Sequence, residues 1–294
     1  MKKFITLKMF ILFYIATFSI NSYGISQCSL SIYPTRIVIE KNEKKSELIA
    51  SNKGVEICTF KAKVMDIKTF ENGTFALDSD NVPFSAKEML RISPKVFTLG
   101  PNEKQTIRVK VKKPFGISNG EYRSHISLSS ISSRALQKKN KKEQTLKPSS
   151  VELGNIPINI NLSFPVLVRF GKSESNVLIE KIALEKDEKE NMPVLDIALR
   201  RTGNKSTYGF LDIKYQNKKG EIIPIERTGV FAIYRSTDIQ KRKIQLKNLK
   251  ELEKNKGKLI VKYIKARTKP DRDNIEKFET SSHYKLLDKK EIDI

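Results

Sequence analysis

Two groups of residues in this sequence have the type and spacing to bind something. Arg36 stands in Thr35-Arg36-Ile37-Val38-Ile39, a run that reads as a short strand. A guanidinium keeps its charge at any working pH, and its planar fork grips a carboxylate through two parallel hydrogen bonds. The plain alternative is an ordinary surface arginine on a strand. The second group lies in Asn155-Ile156-Pro157-Ile158-Asn159-Ile160-Asn161-Leu162-Ser163. Ile156, Ile158, Ile160 and Leu162 share one face of a strand and the other face is polar. Such a row fills its own domain's core, or it is lent to a partner that lacks a strand. Pro157 has no amide for a ladder bond and suits an edge.

Catalytic chemistry is not indicated. His125 and His283 are the only histidines, one in each half. His125 lies in GEYRSHISL and reads as a partly buried structural residue on a strand. No G-x-S-x-G, H-E-x-x-H or phosphate-cradling loop occurs. The carboxylates are mostly interleaved with lysines, as on a solvated surface. The chain therefore reads as a non-enzyme, with no cofactor. A metal site is not expected from two cysteines and two distant histidines.

The elements that must position these residues are strands. Short alternating runs bounded by Gly, Pro, Asn and Asp cover Ser29 to Glu40, Ser46 to Ser51, Cys58 to Ile67, Val96 to Leu99, Gln105 to Val111, Tyr122 to Ser130 and Ile156 to Val168. A polar, basic stretch, 132–154, reads as a long loop before the last of them. After a linker at 171–175 a second series follows: Val177 to Leu184, Val194 to Leu199, Gly209 to Tyr215, Gly229 to Tyr234, Lys243 to Leu246 and Leu259 to Ile264. Asn217 to Gly220 reads as a turn, and Asn248 to Asn255 as a short helical turn. Spacings near ten residues predict an all-β protein of two tandem immunoglobulin-like sandwiches, over 25–170 and 176–267. The pattern fades after Arg267, so 268–294 is expected to fray or dock weakly.

The first 24 residues read as a secretory signal. Lys2 and Lys3 open it, Met9 to Ile20 is its longest uncharged run, and Ser22-Tyr23-Gly24 offers a cleavage site. The run is short for a membrane span, although an anchor or a buried helix is the alternative reading. Export predicts an oxidising compartment, and the two cysteines, Cys28 and Cys58, are then expected to pair; two buried thiols are the alternative. A loop of 30 residues would contribute ~3–4 kcal/mol in the chain-entropy view.

The chain has 294 residues and a formal charge of +23. Loss of Lys2, Lys3 and Lys8 with the signal leaves +20. A basic surface attracts anions, and binding to anionic envelope polymers is the alternative function carried by charge alone. The basic residues are spread along the chain without an interleaved aromatic pattern, so nucleic acid is not an expected partner.

In their order, several segments resemble the periplasmic chaperones of the chaperone–usher pilus pathway. They are PTRIVIE, RISPKVFTLGPNEKQTIRV, GEYRSHISL, the long loop, FPVLVRFGK, LRRTGNKSTYGFLDIKY and GVFAIYR. EYRSH and the Arg-Thr-Gly-Asn-x-Ser-x-Tyr-Gly segment are most similar to the archaic branch. The resemblance spans about residues 26 to 265. It implies two immunoglobulin-like domains set in an L or boomerang around a cleft. It implies pilus subunits as partners, incomplete folds that lack their last strand. The chaperone completes them by donor-strand complementation and delivers them to an outer-membrane usher, without ATP.

Residue by residue, Arg36 matches the family's cleft arginine, which holds the subunit's C-terminal carboxylate. Ile156, Ile158, Ile160 and Leu162 match the donor row. The family's partner lysine has no clear counterpart. SFPVLVRFGK supplies only Arg169 and Lys172, with Lys95, Arg108 and Arg123 as substitutes. Burying four aliphatic side chains contributes ~1.5–3 kcal/mol each. An unbound aliphatic edge invites self-association.

Overall fold

A computed structural model describes residues 28–131, 161–187, 192–249, 257–266 and 284–293. The expected signal, the loop at 132–154, Ile156, Ile158, Ile160 and His283 lie outside the described residues. No helix among the described residues is long and apolar enough to cross a membrane.

The first half is a sandwich of two sheets. Its strands are β1 (Leu30–Tyr33), β2 (Ile37–Ile39), β3 (Lys45–Asn52), β4 (Cys58–Met65), β5 (Ile67–Thr69), β6 (Phe75–Leu77), β7 (Leu90–Ser93), β8 (Val96–Leu99), β9 (Lys104–Val111), β10 (Gly120–Ile131) and β11 (Asn161–Phe170). One sheet runs β1-β3-β9-β7 and the other β2-β11-β10-β4-β8, while β5 and β6 form a separate hairpin. Period-two side chains from the facing strands meet between the sheets, among them Leu48, Ile107, Phe60, Ile126, Phe164 and Val166, each at most 2% exposed.

The run Ser29 to Glu40, expected as one strand, is two. β1 pairs antiparallel with β3, whereas β2 pairs parallel with β11 in the opposite sheet. The break falls at Pro34, which has no amide to continue a ladder. Cys28 and Cys58 form a disulfide with an S–S distance of 2.04 Å, joining the start of β1 to the start of β4 and thus one sheet to the other.

β11 ends at Phe170 and the second half begins at Ser175. It comprises β12 (Ser175–Asp187), β13 (Met192–Gly203), β14 (Thr207–Asn217), β15 (Ile222–Arg227), β16 (Phe231–Ile233), β17 (Ile239–Gln245), β18 (Gly257–Ala266) and β19 (Tyr284–Asp293). One sheet is β12-β13-β17, and the other is β15-β14-β18-β19 with β16 also pairing to β14. Val177, Ile197, Leu211, Tyr215, Val261 and Tyr263 fill the space between them. Of the expected helical turn at Asn248 to Asn255, the described part is a single 3-10 turn at Lys247–Leu249.

The tail is a correction to the sequence reading. Residues 284–293, expected to fray or dock weakly, form β19, which pairs with β18 from Lys258 to Ala266. Two features conceal the strand. In its sequence, YKLLDKKEID, six of ten residues are charged. Its register also jumps: Tyr263 pairs with Asp288 and Ile264 with Leu286, so Leu287 is an extra residue and period two breaks there. Leu287, at the jump, and Ile292, beyond it, both pack on the core. A second irregularity, at Glu180 in β12, lies against β19. The Ile179 amide donates to Asp288 Oδ2 at 2.6 Å and Lys290 Nζ donates to the Glu180 carbonyl at 2.9 Å, so two edge strands are stitched together by side chains.

Candidate functional site

The site lies where the two sandwiches meet. β10 enters the joint at Gly120, whose φ of +127° suits glycine; a Cβ there would stand 2.6 Å from an Arg235 guanidinium nitrogen. Glu121 follows and is 1% exposed. A carboxylate this deeply buried requires partners, and it has three. Arg169 Nε donates to it at 2.9 Å, the Ser206 amide donates at 3.1 Å, and the Ser206 hydroxyl also donates. Its own carbonyl accepts from Arg235 Nη1 at 3.0 Å, and its amide donates to the Asn204 carbonyl at 2.9 Å. Glu121 thus ties β10 and β11 of the first half to the β13–β14 turn of the second.

That turn holds the linker as well. Gly203 adopts φ +90° and directs Asn204 back towards the connecting segment. The Asn204 amide donates to the Glu174 carbonyl and its side-chain oxygen accepts from the Glu174 amide, both at 2.9 Å. Its side-chain nitrogen donates to the Lys172 carbonyl at 3.1 Å. A third tie comes from the β5–β6 hairpin, which reaches β17: the Lys241 amide donates to the Glu71 carbonyl at 2.6 Å and Gln240 Nε2 donates to it at 3.0 Å.

Arginines and aromatic rings line the joint. Arg123 stacks 3.6 Å from the Tyr234 ring and donates to the Ile67 carbonyl at 2.8 Å. Arg235 stacks 3.7 Å from the Phe84 ring. Arg201 is buried under Asp238 at 2.8 Å and three carbonyls. Arg36 differs. Its guanidinium lies 4.4 Å from the ring of Tyr208, at the start of β14, and its buried Nε, like that of Arg201, has no hydrogen-bond partner among the described residues. Arg36 forms no ion pair among the described residues. Burial pushes its pKa down, while Tyr234 and Glu121 oppose that shift. An arginine so placed stays charged and has N–H groups to offer a carboxylate.

Beside Arg36 a strand edge is open. β2 covers β11 only at Val166–Val168, so Asn161 to Pro165 pair with β10 on one side alone among the described residues. Extending the parallel register by one residue sets Arg36 level with Pro165. Leu162 is half-buried and packs on the first core.

Of the residues singled out from sequence, the structure brings together Arg36, Arg123 and Arg169. Arg169 is only 16% exposed and is shared between Glu40 at 2.6 Å and Glu121 at 2.9 Å, so its charge is already balanced. Lys172 is exposed in the linker. Lys95 is exposed beside β8, the edge opposite β2 in the five-stranded sheet. Arg108 projects from the other sheet, 3.4 Å from Glu47. Neither Lys95 nor Arg108 is brought to Arg36. Glu121, Asn204, Ser206, Tyr208, Tyr234 and Arg235 were not singled out. The available signal was their place inside EYRSH, TGNKSTYG and FAIYR, but one sequence does not show that these segments touch.

The fold and site define a two-domain β-sandwich protein with an arginine-rich, aromatic-lined joint. No family model matches the chain, and no curated protein matches it. Among solved structures, the YadV chaperone aligns at 9% identity with a TM-score of 0.46, covering 90% of this chain and 99% of that one. The CsuC–CsuE chaperone–tip adhesion subunit pre-assembly complex, from the archaic chaperone–usher Csu pili of Acinetobacter baumannii, aligns at 11% with a TM-score of 0.44, covering 80% and 93%. The class 5 fimbriae chaperone CfaA aligns at 13% with a TM-score of 0.41, covering 88% and 97%.

Proposed function

We propose that this chain is a periplasmic chaperone for pilus subunits. It completes an incomplete immunoglobulin-like fold by donor-strand complementation along β11 and the residues before it, and it passes the subunit to an outer-membrane usher. The observation that carries the reading is the part-buried Arg36 guanidinium beside the open edge of β11, with no ion pair and no partner for its Nε among the described residues. A cation held this way suits the terminal carboxylate of a chain that pairs with that edge. The order of the segments quoted above supports the same reading. So does the parity of the donor row: Ile156, Ile158, Ile160 and Leu162 are in phase with Phe164, Val166 and Val168, which face the core.

The test is co-expression with a small pilin-like subunit encoded beside the chaperone. Arg36→Ala and Ile158→Asp are each expected to reduce subunit recovery at least tenfold with the chaperone's thermal midpoint within a few degrees of wild type. Normal recovery with both variants overturns the reading. Strongly salt-dependent binding to anionic envelope polymers, with no subunit complex, would favour the charge-driven alternative instead.

A further inference from the structure

We propose that Tyr208 is the positioning residue of the Arg36 anchor, so that a carboxylate is held only while the two domains are docked. This rests on the reading of Arg36 as a carboxylate anchor. The stacked arginines of the joint differ in what else restrains them. Arg123 and Arg235 each lie on an aromatic ring and also donate to carbonyls, so ring and hydrogen bond fix them together. Arg36 lies on the Tyr208 ring, and among the described residues its Nε has no hydrogen-bond partner and it forms no ion pair. The face of Tyr208 is therefore what orients the Arg36 fork while leaving its N–H groups free for a ligand.

Tyr208 belongs to the second domain and Arg36 to the first. The position of Tyr208 is set from both sides along its strand. Ser206, two residues earlier, bonds to Glu121 across the joint, and Tyr208 itself pairs with Ala232 of β16. Undocking would carry the ring away and leave Arg36 a long, unrestrained side chain. The class of ligand is a single carboxylate, such as a free peptide C-terminus. One oriented guanidinium grips it bidentately, which removes the need for a neighbouring lysine. That accords with Arg169 being committed to two glutamates.

The test is arginine side-chain NMR on the full-length protein, titrated with N-acetylalanine and, separately, with its amide. The carboxylate is expected to shift the Arg36 Nε–H signal and the amide to leave it in place. Tyr208→Phe should bind within threefold of wild type, and Tyr208→Leu at least tenfold more weakly with unchanged backbone signals at Glu121 and Ser206. If Tyr208→Leu does not fold, Ser206→Ala, which loosens the strand without removing the ring, should weaken binding severalfold. A wild-type protein whose Arg36 signal ignores the carboxylate overturns the anchor and this inference together. Undiminished binding by Tyr208→Leu, or by Ser206→Ala in its place, overturns this inference alone.

Discussion

The two sandwiches treat their exposed edges differently. In the second domain β19 lies along β18 over ten residues, and its Asp288 and Lys290 reach across to the backbone of β12. One edge of each sheet is thereby closed against the other. In the first domain β11 is covered by β2 over only three residues, and Asn161 to Pro165 have one neighbour among the described residues. An open edge is a template for another chain, and proteins usually blunt it. Here one domain covers the edge at β18 and the other leaves part of β11 open, and the open edge is the one beside Arg36. The difference separates a domain whose edge is covered from one whose edge is in part open.

Removing 284–294 should have the largest effect. Without β19 the second core loses Leu287 and Ile292, and β18 becomes a bare edge. Calorimetry should lose the second domain's transition, while an intact one would show that the closed edge is dispensable. Next comes Phe164→Ala, which empties a fully buried site in β11 and should cost about 3–5 kcal/mol in denaturant unfolding of the first domain. A cost below 1 kcal/mol would mean that β11 is held by its ladder rather than its core.

The third prediction concerns acid. Burial, with a smaller contribution from Arg123, lowers the pKa of His125 to about 3. The unfolded chain, with a histidine pKa near ~6.5, then binds the extra proton between those two values. Stability is therefore full above about pH 6.5 and falls by roughly 1.4 kcal/mol per pH unit down towards the folded value, about 2 kcal/mol by pH 5. His125→Gln should flatten that slope in pH-dependent unfolding, and an unchanged slope would assign the acid sensitivity elsewhere. The smallest effect on stability is expected from Leu162→Asn, under about 1 kcal/mol, because the side chain is half-buried at the open edge. The same change should lower subunit recovery several-fold. A variant that loses stability but keeps recovery would reverse the contrast between the edges.

Much of the fold was legible from period two. The runs through Ile107, Ile126, Leu211 and Val261 alternate cleanly because each strand has one face in a core. What was hidden is physical in origin. β19 is concealed by its charge and by the extra residue at Leu287, and the division at Pro34 sends one apparent strand into two sheets. The site was half legible. Arg36 stands out by type and place, but its isolation emerges only when the partners of Arg123, Arg169 and Arg235 are known. Their hydrogen-bond partners come from segments up to 129 positions away. Tyr208 had no signal of its own, since a tyrosine opening a strand most often packs inward.

The disulfide has a mechanical meaning. β1 is four residues long, and among the described residues its one ladder is with β3 at the margin of its sheet. A pull on the chain ahead of residue 28 would otherwise unzip that strand one hydrogen bond at a time. With Cys28 bonded to Cys58, the load passes directly to the head of β4, an eight-residue strand flanked by both β10 and β8. Many bonds must then yield in shear at once. The protein is thus braced against tension arriving from its N-terminal side, whatever the source of the pull.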